Sequence, residues 1–368
     1  MFGGTTCRLA RSMSVQNPRP RINALATAVP TSECNGRYSA WARRQVGERE
    51  AVLLDRMLHR SGIGNRYTVL SEDDTHGAAG SFYAAPEPPS TGARMAVYAA
   101  QAPELALQAI AGLGGLDGVT HLVVASCTGF TAPGLDQVLA RRLGLEPSVE
   151  RTVLGFMGCY AGVTALRSAG HIVRSDPAAR VLVVSVELCS LHLQPTDRLE
   201  QLLAMAQFAD GAAAALVSAD GDGLAIGEGL SLTLAESHDL ITWTIGDTGF
   251  AMELSGEVPG RLAEALADDD VARAVTNGEP GGAIEAWAIH PGGKSIVDAV
   301  ERGLGLPPEK TAASRAVLRD YGNMSSATVL FVLERLMRER PANGIALAFG
   351  PGLAMEGLRF DWTDGDAG

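Results

Sequence analysis

The chain has 368 residues, a length that points to two cores or one duplicated architecture. Hydrophobic residues make up 46% and charged residues 20%, which excludes a disordered chain; a net charge of −12 argues against a protein that tracks nucleic-acid phosphates. Five cysteines (Cys7, Cys34, Cys127, Cys159, Cys189), odd in number and without CxxC spacing, exclude a disulfide framework and a zinc site and fit reduced thiols in the cytosol.

The opening "MFGGTTCRLARSMSVQNPRPR" lacks the apolar region of a signal peptide, and no later apolar run approaches the roughly 18 residues of a membrane span. Residues 1–20 are expected to be a flexible extension, with Met13 a second candidate start. "RINALATAVP" then predicts a strand, and Tyr38 to His59 one long helix that the glycines of "SGIGNRY" end. The acidic, Pro-rich stretch Glu72 to Ser90 reads as loop. "TGARMAVYAAQAPELALQAIAGL" is helical, Pro103 marking a kink or the first turn of a second helix. Strand-like and helix-like segments alternate from there: "THLVVAS", "GLDQVLARRLG", "RTVL", a small-residue helix after Cys159, "ARVLVVSVEL" and "GAAAALVSA". Unbroken apolar strands such as Val181 to Val186 belong to a sheet covered on both faces, so the class is α/β.

The spacing contains a repeat. Cys159 lies 33 residues after the strand end Ser126 and 22 before the next strand at Val181. Asn323 lies 34 residues after the strand end Ile289 and 22 before the strand at Ile345. Each is followed by a helix rich in small residues. Two similar halves are expected, 21–222 carrying Cys159 and 223–368 carrying His290 and Asn323, joined near "SADGDGLAIGE". A pseudo-twofold arrangement would bring the two helix starts together.

A cysteine at a helix start feels the positive end of the helix dipole, which with a protonated imidazole nearby favours a thiolate. A lone cysteine is more often a small buried hydrophobe. His290, in "AIHPGG", follows an apolar strand at a C-terminal sheet end, where catalytic groups gather, although a structural histidine fits as well. Asn323 on its own reads as a helix N-cap. Together, at equivalent points of a duplicated fold, the three make a nucleophile, a base and a neutral amide.

These stretches resemble the type III polyketide synthases, the chalcone and stilbene synthase relatives within the thiolase superfamily. The similarity runs from about Arg21 to the C-terminus and rests on "THLVVASCTGF", "GFMGCYAG", "AIHPGG", "YGNMSSATVLFVL" and "FGPG". It implies a thiolase-like duplicated αβαβα layered fold with two pseudo-twofold-related halves. It also implies that Cys159 accepts the acyl group while His290 and Asn323 decarboxylate the extender and hold its enolate, for which an imidazole and an amide are suitable donors. Phe208 and Phe250 fall at the family's gatekeeping positions, and Cys189, Leu191, His192, Ile241 and Ser325 at cavity positions. No bound cofactor or metal is implied; the substrates would be an acyl-CoA starter and malonyl-CoA, and the enzyme a cytoplasmic homodimer, its "CTGFTAPG" loop reaching toward the partner around Thr131 and Ala132.

The resemblance puts Arg56 and Arg60 at the family's basic positions for coenzyme A, with Gly292 and Gly293 expected at the same site; Leu53 stands where a first basic residue is usual, Lys294 is expected to compensate, and a solvated arginine pair remains the alternative. The bulk of Leu191, His192 and Ile241 disfavours an aromatic starter folded to a chalcone. It favours an acyl chain closed to a pyrone or a resorcinol- or phloroglucinol-type ring. The competing readings are a ketoacyl synthase III-like enzyme that condenses once with an acyl carrier protein, a hydroxymethylglutaryl-type synthase, a papain-like cysteine hydrolase and a silent scaffold. A hydroxymethylglutaryl-type synthase would call for a carboxylate base near the cysteine, and a hydrolase leaves the duplication unexplained.

Overall fold

The structure is a computed structural model that describes residues 19–71, 81–83 and 87–365. The expected extension, except for Arg19 and Pro20, and much of the expected 72–90 loop lie outside the described residues.

The first half contains β1 (Arg21–Ala28), β2 (Ser32–Glu33), α1 (Asn35–Arg43), α2 (Glu48–Arg60), β3 (Tyr67–Thr68), α3 (Thr91–Ala111), β4 (His121–Ser126), α4 (Leu135–Arg142) and β5 (Glu150–Gly155). It continues through α5 (Ala161–Ser175), β6 (Val181–Leu188), α6 (Leu199–Met205) and β7 (Asp210–Ser218). The second half holds β8 (Gly223–Thr233), β9 (Ile241–Gly246), β10 (Gly249–Leu254), α7 (Val258–Ala267), α8 (Asp269–Thr276) and β11 (Ala286–Ile289). Then come α9 (Lys294–Leu304), α10 (Ala312–Tyr321), α11 (Thr328–Met337), β12 (Gly344–Gly350) and β13 (Ala354–Thr363).

Nine strands form one sheet in the order β5-β4-β6-β7-β1-β8-β13-β12-β11. β1 and β8, the first strands of the two halves, pair antiparallel at its centre. Outward from them the halves repeat one pattern: the last strand antiparallel to the first, the next antiparallel to it, then a parallel neighbour. β5 extends the first arm only.

Residue alternation along the strands explains the layers. In β6, Val181 and Val183 face a core shared with α5 and α11, whereas Leu182, Val184 and Leu188 face a core shared with α3. All eight β6 residues are buried, as a doubly covered strand requires. The α5–α11 core also receives Ala286, Ala346 and Leu358 from the second arm, so these two helices are clamped between both arms. α7 and α9 cover the second arm's outer face through Leu262, Leu266 and Val300. Helix, sheet, paired helices, sheet, helix is the expected αβαβα order.

Two local expectations change. The Tyr38–His59 helix is two helices, because the chain turns at 44–47 and Gly47, extended at φ −71° and ψ 167°, starts α2 afresh. Pro103 neither starts a new helix nor ends the old one: it sits buried inside the continuous α3.

Candidate active site

Cys159 lies in a single 3-10 turn, Gly158–Tyr160, between β5 and α5. Gly158 has φ +78°, and a Cβ there would run into the Pro351 ring, so only glycine lets the turn fit beneath the "FGPG" loop. Cys159 opens onto a cavity of about 430 Å³ whose wall also includes His290, Asn323 and Ser325. The duplicated fold brings together the two halves' helix starts, as the spacing predicted, and adds the "AIHPGG" turn to the same cavity.

Asn323 is 1% exposed and rigidly held. Its N–H donates to the Gln207 carbonyl (2.7 Å), and its own carbonyl accepts from Ala209 N–H (2.9 Å). The side-chain Oδ1 accepts from Ser325 N–H (2.8 Å) and the Thr328 hydroxyl (3.3 Å), while Nδ2 donates to the Gly292 carbonyl (3.3 Å). His290 is also 1% exposed, anchored by its N–H on the Leu347 carbonyl (2.7 Å). Neither ring nitrogen has a hydrogen-bond partner. Two orphaned buried nitrogens on a cavity wall are a place for a ligand's polar atoms.

The Cys159 thiol is pushed up to about 11, mainly by burial; hydrogen bonds from Ser325 and Asn323 oppose the shift and the buried Glu187 adds to it. Burial pushes His290 down to about 3. The sequence expectation of a thiolate facing a protonated imidazole meets an opposing effect: burial favours the neutral form of both groups and outweighs the helix start. Ser325, at φ +46°, donates its hydroxyl toward Cys159 Sγ (3.6 Å) and lies 3.2 Å from Cys127 Sγ.

The other expected residues divide. Phe208, Cys189, His192, Ile241 and Gly292 line the cavity. Phe250 does not: it is 1% exposed and stacks behind the wall on His192, with ring centroids 4.2 Å apart. Leu191 is likewise buried off the cavity, its carbonyl taken by Arg94. His192 accepts from Phe250 N–H at Nδ1 (3.0 Å), so Nε2 carries the proton and donates it to the Thr128 carbonyl (2.7 Å). With both nitrogens used and its pKa pushed down to about 3 by burial, His192 is a fixed neutral wall. Arg56, Arg60 and Lys294 are exposed and are not among the cavity-lining residues; Lys294 approaches Asp298 at 3.9 Å. Gly293 sits against the Gln207 side chain.

Sequence reasoning missed Glu187, fully buried in β6 and held by Cys127 N–H (3.0 Å), the Thr128 hydroxyl (2.8 Å) and the Ser326 hydroxyl. A carboxylate inside the apolar run "VLVVSVEL" was the available signal. It also missed Arg66, whose guanidinium lies over the Tyr38 ring (4.5 Å) and donates to the Phe208 carbonyl (2.9 Å). Among the described residues no group of three or more His, Cys, Asp or Glu is placed to hold a metal ion, and no helix is long and apolar enough to cross a membrane.

Two family models match the chain: chalcone and stilbene synthases, N-terminal domain, over residues 18–221, and the C-terminal domain over residues 229–361. An alpha-pyrone synthesis polyketide synthase-like protein of Mycobacterium tuberculosis is 36% identical over 252 residues, spanning 65% of this chain and 64% of that protein, just under two thirds of its length. Bisdemethoxycurcumin synthase of Oryza sativa is 36% identical over 329 residues, 82% of this chain and 81% of that one. Among solved structures, PKS-I from the brown alga Ectocarpus siliculosus superposes with a TM-score of 0.84 at 31% identity, covering 95% of this chain and all of that chain. With matching models over both halves and a relative of this identity along most of its length, the chain belongs to the chalcone and stilbene synthase family.

Proposed function

We propose that the protein is a type III polyketide synthase, an acyltransferase that condenses malonyl-CoA iteratively onto an acyl-CoA starter without a bound cofactor. The observation that carries the reading is one apolar cavity on which Cys159, His290 and Asn323 converge from both halves, with the His290 nitrogens unfilled. In this reading Cys159 attacks the starter thioester, its proton passing to the imidazole, and coenzyme A leaves as the thiol. Malonyl-CoA then loses carbon dioxide while its thioester oxygen takes hydrogen bonds from His290 and the Asn323 amide. The enolate carbon attacks the Cys159 thioester and expels the Cys159 sulfur, which leaves the lengthened chain on coenzyme A; Cys159 then attacks that thioester and releases coenzyme A for another round. Neutral donors suit the decarboxylation, since the charge of the malonyl carboxylate moves onto the thioester oxygen only as carbon dioxide leaves.

In the same reading the halves divide near 222, Phe208 gates the cavity, and Ile241, Cys189, His192 and Ser325 shape a product closed to a pyrone or resorcinol-type ring. Arg56, Arg60 and Lys294 would meet coenzyme A phosphates outside the cavity. The reading takes the enzyme as a cytoplasmic homodimer; for the dimer, the exposed edge strand β5 suits a partner chain, with Val153 52% exposed and Phe130, 44% exposed, near Gly155. Sedimentation would test the dimer.

The deciding experiment is mass spectrometry of products from malonyl-CoA and short, long and aromatic acyl-CoA starters, with Cys159→Ala alongside. Two or more added ketide units, absent in the variant, support the proposal. A single extension, or activity with a carrier-protein thioester alone, would move the enzyme to the ketoacyl synthase III-like reading.

A further inference from the structure

Gln207 follows α6 and stands between the two catalytic elements of the second half. Its carbonyl accepts from Asn323 N–H (2.7 Å), and its side chain lies against Gly293 so closely that a Cβ there would collide with Oε1. Gln207 lines the same cavity as His290 and Gly292, its carboxamide lies at Gly293, and no side-chain hydrogen bond is made by it among the described residues. The backbone that carries it is fixed on both sides: Gln207 N–H donates to the Ala204 carbonyl (3.2 Å), and Arg66 holds the next carbonyl, that of Phe208 (2.9 Å). A half-buried amide in a largely apolar wall is one of the few polar groups that can orient a ligand in the cavity.

We propose that Gln207 is a substrate-binding residue whose carboxamide donates a hydrogen bond to a neutral carbonyl oxygen of the bound thioester, separate from the site where His290 and Asn323 meet the enolate. The inference rests on the polyketide synthase reading. Two carbonyls of this chemistry are available: an amide carbonyl of the pantetheine arm, and a β-keto carbonyl of the chain growing on Cys159. The glycine at 293 follows from the same arrangement, because any side chain there would displace the carboxamide.

The test compares Gln207→Leu, similar in size but without polar atoms, with Gln207→Glu, similar in shape but an acceptor at neutral pH. The readouts are steady-state KM, the rate of Cys159 acylation by intact-protein mass, and product length. Gln207→Leu should lose about three- to tenfold, the worth of one hydrogen bond. If the acceptor is in the pantetheine arm, KM for the coenzyme A thioesters rises and acylation by acyl-CoA slows, whereas acylation by an S-phenyl thioester, which has no amide, is unchanged. If the acceptor is the growing chain, acylation is unchanged and released products shorten. In both arms Gln207→Glu is worse than Gln207→Leu, because an acceptor then faces an acceptor. Wild-type KM, acylation and product length in Gln207→Leu would overturn the proposal, as would equal behaviour of the two variants. A wild-type protein that condenses no malonyl-CoA would overturn the underlying reading instead.

Discussion

Gly162 tests whether close packing of α5 on the start of α11 holds the site together. A Cβ at Gly162 would overlap the Ser326 carbonyl and the Leu330 side chain. Ser326 is three residues beyond Asn323 and next to Ser325, which reaches Cys159, so the contact sits under both helix starts. The colliding carbonyl is backbone and cannot rotate away. Gly162→Ala must therefore separate the two helices by roughly 1 Å, since the interior has no slack to absorb the methyl group. Overpacking of this kind costs about 1–3 kcal/mol, and the better helix propensity of alanine returns about 1 kcal/mol. The net loss of about 0–2 kcal/mol should lower the melting temperature by no more than about 3 °C in a chain of this length. Turnover should fall much further, on the order of 100-fold, because a 1 Å misplacement of catalytic groups costs that much. Gly36→Ala in α1, where a Cβ meets nothing within 4 Å, is the matched control and should be neutral or slightly stabilising. Thermal denaturation and steady-state condensation decide the matter. A Gly162→Ala protein with raised melting temperature and unchanged turnover would show that the two helices do not meet as described.

Phe208 and Phe250 should separate experimentally. Phe208→Ala, on the cavity wall, should change starter choice or product length; Phe250→Ala, behind it, should cost about 3–5 kcal/mol of stability in a denaturant titration, and a reversed pattern would refute the placement. The pH dependence of stability follows from His192. Held near 3 when folded, against an ordinary value of 6.5, it adds stability that is present above pH 6.5 and lost as pH falls toward 3, by up to about 1.4 kcal/mol per pH unit. Asp210, pushed up to about 6 by burial, acts with the opposite sign and loses its contribution as pH rises through 6. The gap in unfolding free energy between wild type and His192→Gln should therefore shrink from pH 6.5 to pH 4; a constant gap would show that the buried imidazole titrates normally.

Much of the site was legible because its determinants are local. A strand that ends, a glycine at a turn and a small-residue helix recur at matched spacing in both halves, and the pseudo-twofold sheet turns that spacing into proximity. The family resemblance supplied the roles. What the sequence could not give is which side of a wall a residue faces. Phe208 and Phe250 are both aromatics in apolar surroundings, yet the α6–β7 turn presents one to the cavity while His192 and Trp243 enclose the other. Glu187 was hidden differently. Its partners Cys127, Thr128 and Ser326 come from distant segments, so no local pattern announces them. For Cys159 the helix start is visible in the sequence, whereas the burial that pushes its thiol up is not.

The orientation of Asn323 gives a reason for an amide there that goes beyond charge. Ser325, turned into the left-handed region, aims its N–H at Asn323 Oδ1, and the Thr328 hydroxyl points at the same atom. The Ser325 N–H, helped by a hydroxyl that Thr328 shares with the Ser325 carbonyl, fixes which end of the amide faces inward. The other end must then be a donor, because it meets the Gly292 carbonyl on the cavity side. An aspartate would satisfy Ser325 and Thr328 equally well but would set a second oxygen against the Gly292 carbonyl, two acceptors at hydrogen-bond distance with no proton between them. A leucine of similar bulk would leave Ser325 N–H unpaired in a buried site, at a cost of about 1–3 kcal/mol. Of the three, asparagine alone satisfies the strained backbone on one side and still presents N–H groups on the cavity side. The residue that would hold the enolate is thus selected by the resting fold before any substrate enters.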